Sequence, residues 1–135
     1  MPRQTTRQIL TDLFEQKEGG FSFGELVSEC QRVRTSIHKS TVLRNLRRLV
    51  AEGAVVSCAR RGKRPVYTQA RSTQHLHATL CRYCPRLRPL PAATLRKVER
   101  VLHEVEAELG RTGEFTRLRH TLQFEGECVQ CAEEK

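Results

Sequence analysis

The chain has 135 residues and a formal charge of +9, with 24 Lys and Arg against 15 Asp and Glu. That length holds one domain or two very small ones, and no apolar run approaches the ~18 residues of a membrane span. The opening MPRQTTRQIL has no apolar signal core, and with no Trp and only 5% aromatics a base-stacking platform is not expected.

Ile9, Leu10, Leu13 and Phe14 share one face of a helix from about Thr6 to Lys17, which Gly19-Gly20 ends. Ser22 stands three before Glu25, a capping-box spacing that opens a second helix with Phe23, Leu26, Val27 and Cys30 as its apolar members. Ser36 is the expected N-cap of a third helix. Its Val42, Leu46, Leu49 and Val50 face the core, and Gly53 stops it. The opposite face carries Lys39, Ser40, Arg44, Arg47 and Arg48. After Gly53 the period changes to two. One strand begins at Val55-Val56 and another at Pro65, around the basic, Gly-centred hairpin Arg60-Arg61-Gly62-Lys63-Arg64.

Three helices followed by a basic β-hairpin predict a winged helix. Its third helix would enter a major groove, and its hairpin would lie along phosphates. Seven cations oppose one acid, Glu52, between Arg44 and Arg64, a balance that a merely solvated surface does not require. Arg44 is the first choice for a base contact, because its planar fork matches guanine O6 and N7. Arg47 or Arg48, with Arg61, Lys63 and Arg64 of the hairpin, supply phosphate contacts.

The rest of the chain has a different composition. Residues 1–72 hold 14 Lys and Arg against 6 Asp and Glu, whereas residues 73–135 hold 10 against 9. Four of the six cysteines lie in this second part, as Cys81-Arg82-Tyr83-Cys84 and Cys128-Val129-Gln130-Cys131. Two CxxC pairs can close a thiolate tetrahedron around a structural zinc. For a unit of about 60 residues that binding energy would be largely folding energy. Two disulfides, or a thiol oxidoreductase pair, are the alternatives. The first needs an oxidising compartment, and the second needs a βαβ context that neither pair has. Cys30 and Cys58 read as core or strand residues. Between the pairs, Leu95, Val98, Val101, Leu102, Val105 and Leu109 form a wide apolar stripe on a helix from about Ala92 to Leu109, wide enough to favour dimerisation. Segments His77 to Leu80 and Leu118 to Phe124 read as strands. The fold class is thus α+β: an N-terminal winged-helix domain, 1–72, followed by a small α/β dimerisation domain, 73–135, with a four-cysteine zinc site.

Thr6-Arg7 with Ile9-Leu10, SIHKSTVLRNLRRLVAEGAV (36–55), HLHATLCRYC (75–84) and HTLQFEGECVQC (120–131) together resemble the ferric uptake regulator family of bacterial metal-dependent repressors. The resemblance implies structural zinc on Cys81, Cys84, Cys128 and Cys131, and a cytoplasmic homodimer on a palindromic double-stranded operator. It also implies a regulatory metal site on His75, His77, Glu99 and His120, with His103 in reserve. Three imidazoles and a carboxylate suit Zn²⁺, Fe²⁺ or Mn²⁺. The family's interdomain sensory positions read here as Gly20, Thr68 or Gln69, Leu76 and Ala78, none a good ligand, so that site is missing or rebuilt. Pro85 and Leu43 stand where the family usually has Gly and Tyr, and the helix often found ahead of Thr6 is absent or much reduced. The expected function is a metal-responsive transcriptional repressor, neither an enzyme nor a binder of small organic molecules or membranes. A peroxide sensor of the same family, and a zinc-ribbon module that senses nothing, are the alternatives.

Overall fold

The computed structural model describes residues 3–17, 19–70 and 77–134. Three helices come first: α1 (Thr6–Gln16), α2 (Phe23–Val33) and α3 (Lys39–Ala51). Thr5 with Gln8, and Ser22 with Glu25, form complete capping boxes on α1 and α2, each satisfying amide donors that a helix start leaves open. The third helix differs from expectation. His38, not Ser36, is its N-cap, with no side-chain cap bond. Burial of Ile37 in the core holds the chain extended past Ser36, so the first helical turn starts later. At the other end Gly53 has φ +80°. Its amide donates to Val50 O and that of Ala54 to Leu49 O, the paired bonds of a Schellman stop that favours a residue without Cβ.

The apolar faces meet in one core built on Leu10, Leu26, Val42 and Leu46, with Phe14 edge-on to Phe21 at 5.4 Å between ring centroids. Each fully buried leucine contributes about 1.5–3 kcal/mol. Strands β1 (Val55–Arg60) and β2 (Lys63–Gln69) pair antiparallel, with a bulge between Cys58 and Arg60. The helices and this hairpin form the winged-helix unit.

The second sheet has the order β4-β3-β5. Strand β3 (Ala78–Cys81) is antiparallel to β4 (Leu87–Pro89) and parallel to β5 (Gln123–Gly126). A parallel neighbour needs a long crossover, and α4 (Ala92–Arg111) supplies it. A short α5 (Val129–Glu133) ends the chain. The strand expected over Leu118 to Phe124 exists only from Gln123. Just ahead of it the Leu122 amide is bonded to the His77 ring and not to a strand partner. The boundary expected at 72/73 lies outside the described residues.

The two sheets are packed together. Cys58 and Val66 of the hairpin share an apolar cluster with Ala78, Leu80 and Leu87. Gly20 is wedged into this seam: a Cβ there would stand 2.1 Å from Val66 Cγ1 and 2.6 Å from Pro85 O. Phe21 and Tyr67 exchange backbone hydrogen bonds of 2.8 Å, and Thr68 Oγ1 donates to Gly19 O.

Candidate metal centres and nucleic-acid face

Cys81 ends β3 and Cys84 lies in the turn to β4, while Cys128 is the N-cap of α5 and Cys131 lies within it. Parallel pairing of β3 with β5 brings the two turns together. The four Sγ atoms lie within 4.8 Å of one another, with Cys81–Cys131 and Cys84–Cys128 both at 3.8 Å. Sulfurs about 2.3 Å from a tetrahedral zinc must be ~3.8 Å apart, so the donor set fits zinc. Disulfide sulfurs stand ~2.05 Å apart, and all four cysteines are free thiols.

Backbone amides favour the thiolate at two of these sulfurs, Cys81 and Cys128, whereas burial raises Cys84 and the bond to Cys128 raises Cys131. Burial opposes ionisation of Cys81. The N–H groups of Cys128 and Tyr83, at 3.5 and 3.4 Å from its sulfur, nevertheless help bring it down to about 6. The Cys131 amide, 3.4 Å from Cys128 Sγ, lowers that thiol too. Arg86 Nη1 donates to Cys128 Sγ at 3.2 Å, and its second nitrogen to Gln130. Such outer donors offset the negative charge that four thiolates leave on zinc. Sequence reading missed Arg86 because nothing in its spacing marks it. Cys30 and Cys58 are buried in the two apolar clusters. Burial pushes the Cys58 thiol up to about 11, as expected of a packing residue.

A second donor set lies between α4, β3 and the segment leading into β5. His77 stands just before β3, Glu99 on α4 and His120 ahead of β5, and their ligand atoms lie within 4.8 Å of one another. His77 Nε2 is 2.7 Å from Glu99 Oε1, and His120 Nε2 is 3.1 Å from Glu99 Oε2. The His77 and His120 rings stack with centroids 5.1 Å apart. Desolvation works against charge on both Glu99 and His120. Hydrogen bonding between them, and from His77 and Glu106, still holds the carboxyl low and the imidazole high. Two imidazoles and a carboxylate at this separation suit a divalent ion. The structure thus brings together three of the four expected residues, and His75 lies outside the described ones. Glu106, which bonds His120 Nδ1, was not foreseen. Its spacing of i+7 from Glu99 was the available signal.

The positions read as an interdomain sensory site carry no ligating cluster among the described residues. Gly20 is packed against Val66 and Pro85, Thr68 gives its hydroxyl to Gly19 O, and Ala78 is buried. Leu76 lies outside the described residues.

On the winged-helix unit, Lys39, Ser40, Arg44, Arg47 and Arg48 are exposed along α3, opposite Val42, Leu46 and Leu49. Leu43 is half-buried among them. Arg61, Lys63 and Arg64 are exposed at the hairpin tip. Among the described residues Arg44, Arg47, Lys63 and Arg64 make no ion pair. The one acid nearby, Glu52, is taken by Arg7 of α1. Arg60 points elsewhere: its guanidinium donates to Arg64 O and Cys84 O, at 3.0 and 3.1 Å. Gln123 reaches Ala59 O, the carbonyl at the bulge, and Glu125 accepts from the Arg61 amide. The hairpin is therefore tied to the cysteine-bearing unit.

Comparisons with known proteins agree with this architecture. The family model described as the ferric uptake regulator family matches residues 3–122. The Helicobacter pylori ferric uptake regulator, described as having three functional metal binding sites, superposes with a TM-score of 0.70 at 14% identity, covering 98% of this chain and 83% of that one. The ferric uptake regulator of Francisella tularensis with iron gives 0.70 at 15%, covering 98% and 95%. A zinc uptake regulator complexed with zinc and DNA gives 0.66 at 20%, covering 97% and 83%. At these identities the structures establish the fold. No curated protein sequence matches the chain.

Proposed function

Because the chain belongs to the ferric uptake regulator family, we propose that it is a metal-responsive transcriptional repressor. It binds a palindromic double-stranded operator as a homodimer in the cytoplasm, and it is not an enzyme. Residues 1–72 contact DNA and residues 73–135 dimerise and hold metal. The observation that carries this reading is one chain bearing an unpaired cationic helix face, a tetrahedron of four cysteines and a separate His/Glu cluster. A zinc-ribbon module has no need of the third feature.

The four-cysteine set fits a zinc that closes the second unit upon itself. His77, Glu99 and His120, with His75, would hold a divalent regulatory ion, Zn²⁺, Fe²⁺ or Mn²⁺, which supplies positive charge where three elements meet. His77 is the first described residue of the second unit and His120 leads into the parallel edge strand. Their positions therefore govern how the second unit sits against the first. The arrangement that holds both groups close is the one the operator selects, so metal and DNA must strengthen each other's binding by the same factor. Arg44 reads the groove with Lys39 and Ser40 beside it on α3, while Arg47 or Arg48 and the hairpin's Arg61, Lys63 and Arg64 meet phosphate.

The test is selection of duplexes from a random pool by zinc-retaining protein, with and without added Zn²⁺, Fe²⁺ or Mn²⁺. The expected product is a two-fold symmetric sequence enriched only with metal, and lost with His120→Ala. Enrichment that ignores metal, or no enrichment, contradicts the reading.

A further inference from the structure

Glu99, His103 and Glu106 stand at i, i+4 and i+7 of α4, the spacing that puts side chains on one face of a helix. His120 approaches that face from the chain leading to β5. His103 Nε2 lies 3.1 Å from Glu99 Oε2, the same oxygen and the same distance as His120 Nε2. On the far side of both rings stands one carboxylate: Glu106 bonds His120 Nδ1, and its other oxygen is 3.7 Å from His103 Nδ1. The two rings meet edge to face, 5.4 Å between centroids.

That arrangement matters because an imidazole ligates metal through one nitrogen while the other keeps its proton, and a carboxylate behind the ring fixes which is which. His103 and His120 are both set with Nδ1 toward Glu106 and Nε2 toward Glu99. His77 is set differently. Its Nδ1 accepts from the Leu122 amide at 3.0 Å, which leaves the proton on Nε2, facing Glu99. For His77 to ligate through Nε2 the proton must change nitrogens and the Leu122 amide must find another acceptor. His103 needs no such exchange.

Resting on the proposed second metal site, we infer that His103 is a ligand of that metal, with Glu106 the positioning residue that presets His103 and His120 together. The site then opens outward along α4. His77 is buried, whereas the His103 side chain is 65% exposed, so this ligand can swing away and return without disturbing the core. Such a donor gives an exchangeable ion a way in and out, which a sensing site needs and a structural one does not.

The test uses full-length, zinc-retaining protein titrated with Co²⁺ in competition with a chromophoric chelator, reading affinity and visible absorption of the cobalt bound at the His/Glu site. His103→Ala is expected to weaken that cobalt roughly 10–100-fold and to alter its spectrum, with the retained zinc unchanged. His103→Gln, a variant of closer size, should do the same. Glu106→Ala should weaken both cobalt binding and spectral definition, and Glu106→Gln, whose carbonyl still accepts from Nδ1–H, should restore much of each. Wild-type affinity and spectrum in both His103 variants would overturn the inference. It would leave the second site standing if His120→Ala still loses the ion. If wild-type protein takes up no cobalt beside its retained zinc, the site itself is refuted and this inference with it.

Discussion

Arg7 and Glu52 join the start of α1 to the end of α3, and the pairing holds the Glu52 carboxyl below its ordinary value through the Arg7 hydrogen bond. A carboxylate depressed in the folded state adds stability above its unfolded pKa and loses it as pH falls through the folded one. Glu52→Gln should therefore lower the urea midpoint at pH 7, and the gap should close as pH falls through the depressed pKa of the folded carboxyl. A constant gap across that range would contradict the pairing. It also leaves Arg44 and Arg47 without a nearby acid. Arg44→Ala is expected to weaken operator binding by about 1–3 kcal/mol at fixed salt, measured by fluorescence anisotropy. Unchanged affinity would remove Arg44 from the base contacts. Charge excess and helical period placed these arginines from sequence alone, because both are local quantities. The N-cap of α3 was not legible in the same way. Burial of Ile37 outweighed the capping preference of Ser36, and burial is decided by parts of the chain far from it.

At the scale of elements, the hairpin and the β3–β4 turn are clamped at two points. One is Gly20 in the apolar seam. Gly20→Ala places a methyl where Val66 and backbone oxygen already stand, and overpacking of this kind costs about 1–3 kcal/mol. A urea midpoint equal to wild type would show that the seam is looser than described. The other is Arg60, bridging Arg64 O and Cys84 O. Arg60→Ala should leave the fold intact and speed amide exchange selectively in residues 60–64, whereas uniform exchange along the chain would deny it that role. Such long-range ties leave no periodic mark in sequence. The helices, the hairpin and both CxxC turns were legible because each is set by residues within a few positions of one another. Strand β4 is three residues long and α5 five, too short for a pattern to declare itself. The strand expected from Leu118 begins only at Gln123, because the Leu122 amide goes to the ring of His77, 45 residues away, a partner that alternation does not reveal.

For the whole molecule, α4 has no buried residue, and Val101, Val105, Leu109 and the edge-strand Phe124 are each two-fifths exposed or more. The apolar stripe legible between the CxxC pairs is thus only partly covered by its own chain, with Leu95, Val98 and Leu102 half-buried. Together with an open β5 edge, this supports the proposed pairing of two copies. Phe124→Glu is expected to shift sedimentation from dimer toward monomer, while a wild-type profile would place the interface elsewhere. The His/Glu cluster was reached through family resemblance rather than spacing, because its members come from three separated segments. Resemblance did not extend to Glu106, whose i+7 spacing from Glu99 marks a shared helix face but not the contact with His120.

Two metals with different duties per chain can be counted by native mass spectrometry of the assembled protein. After dialysis against a mild chelator the dimer should keep two zinc ions. Added divalent metal should bring two more, absent in His120→Ala while the first two persist. A dimer that keeps no zinc, or takes up no further ion beyond the first pair, would contradict the account.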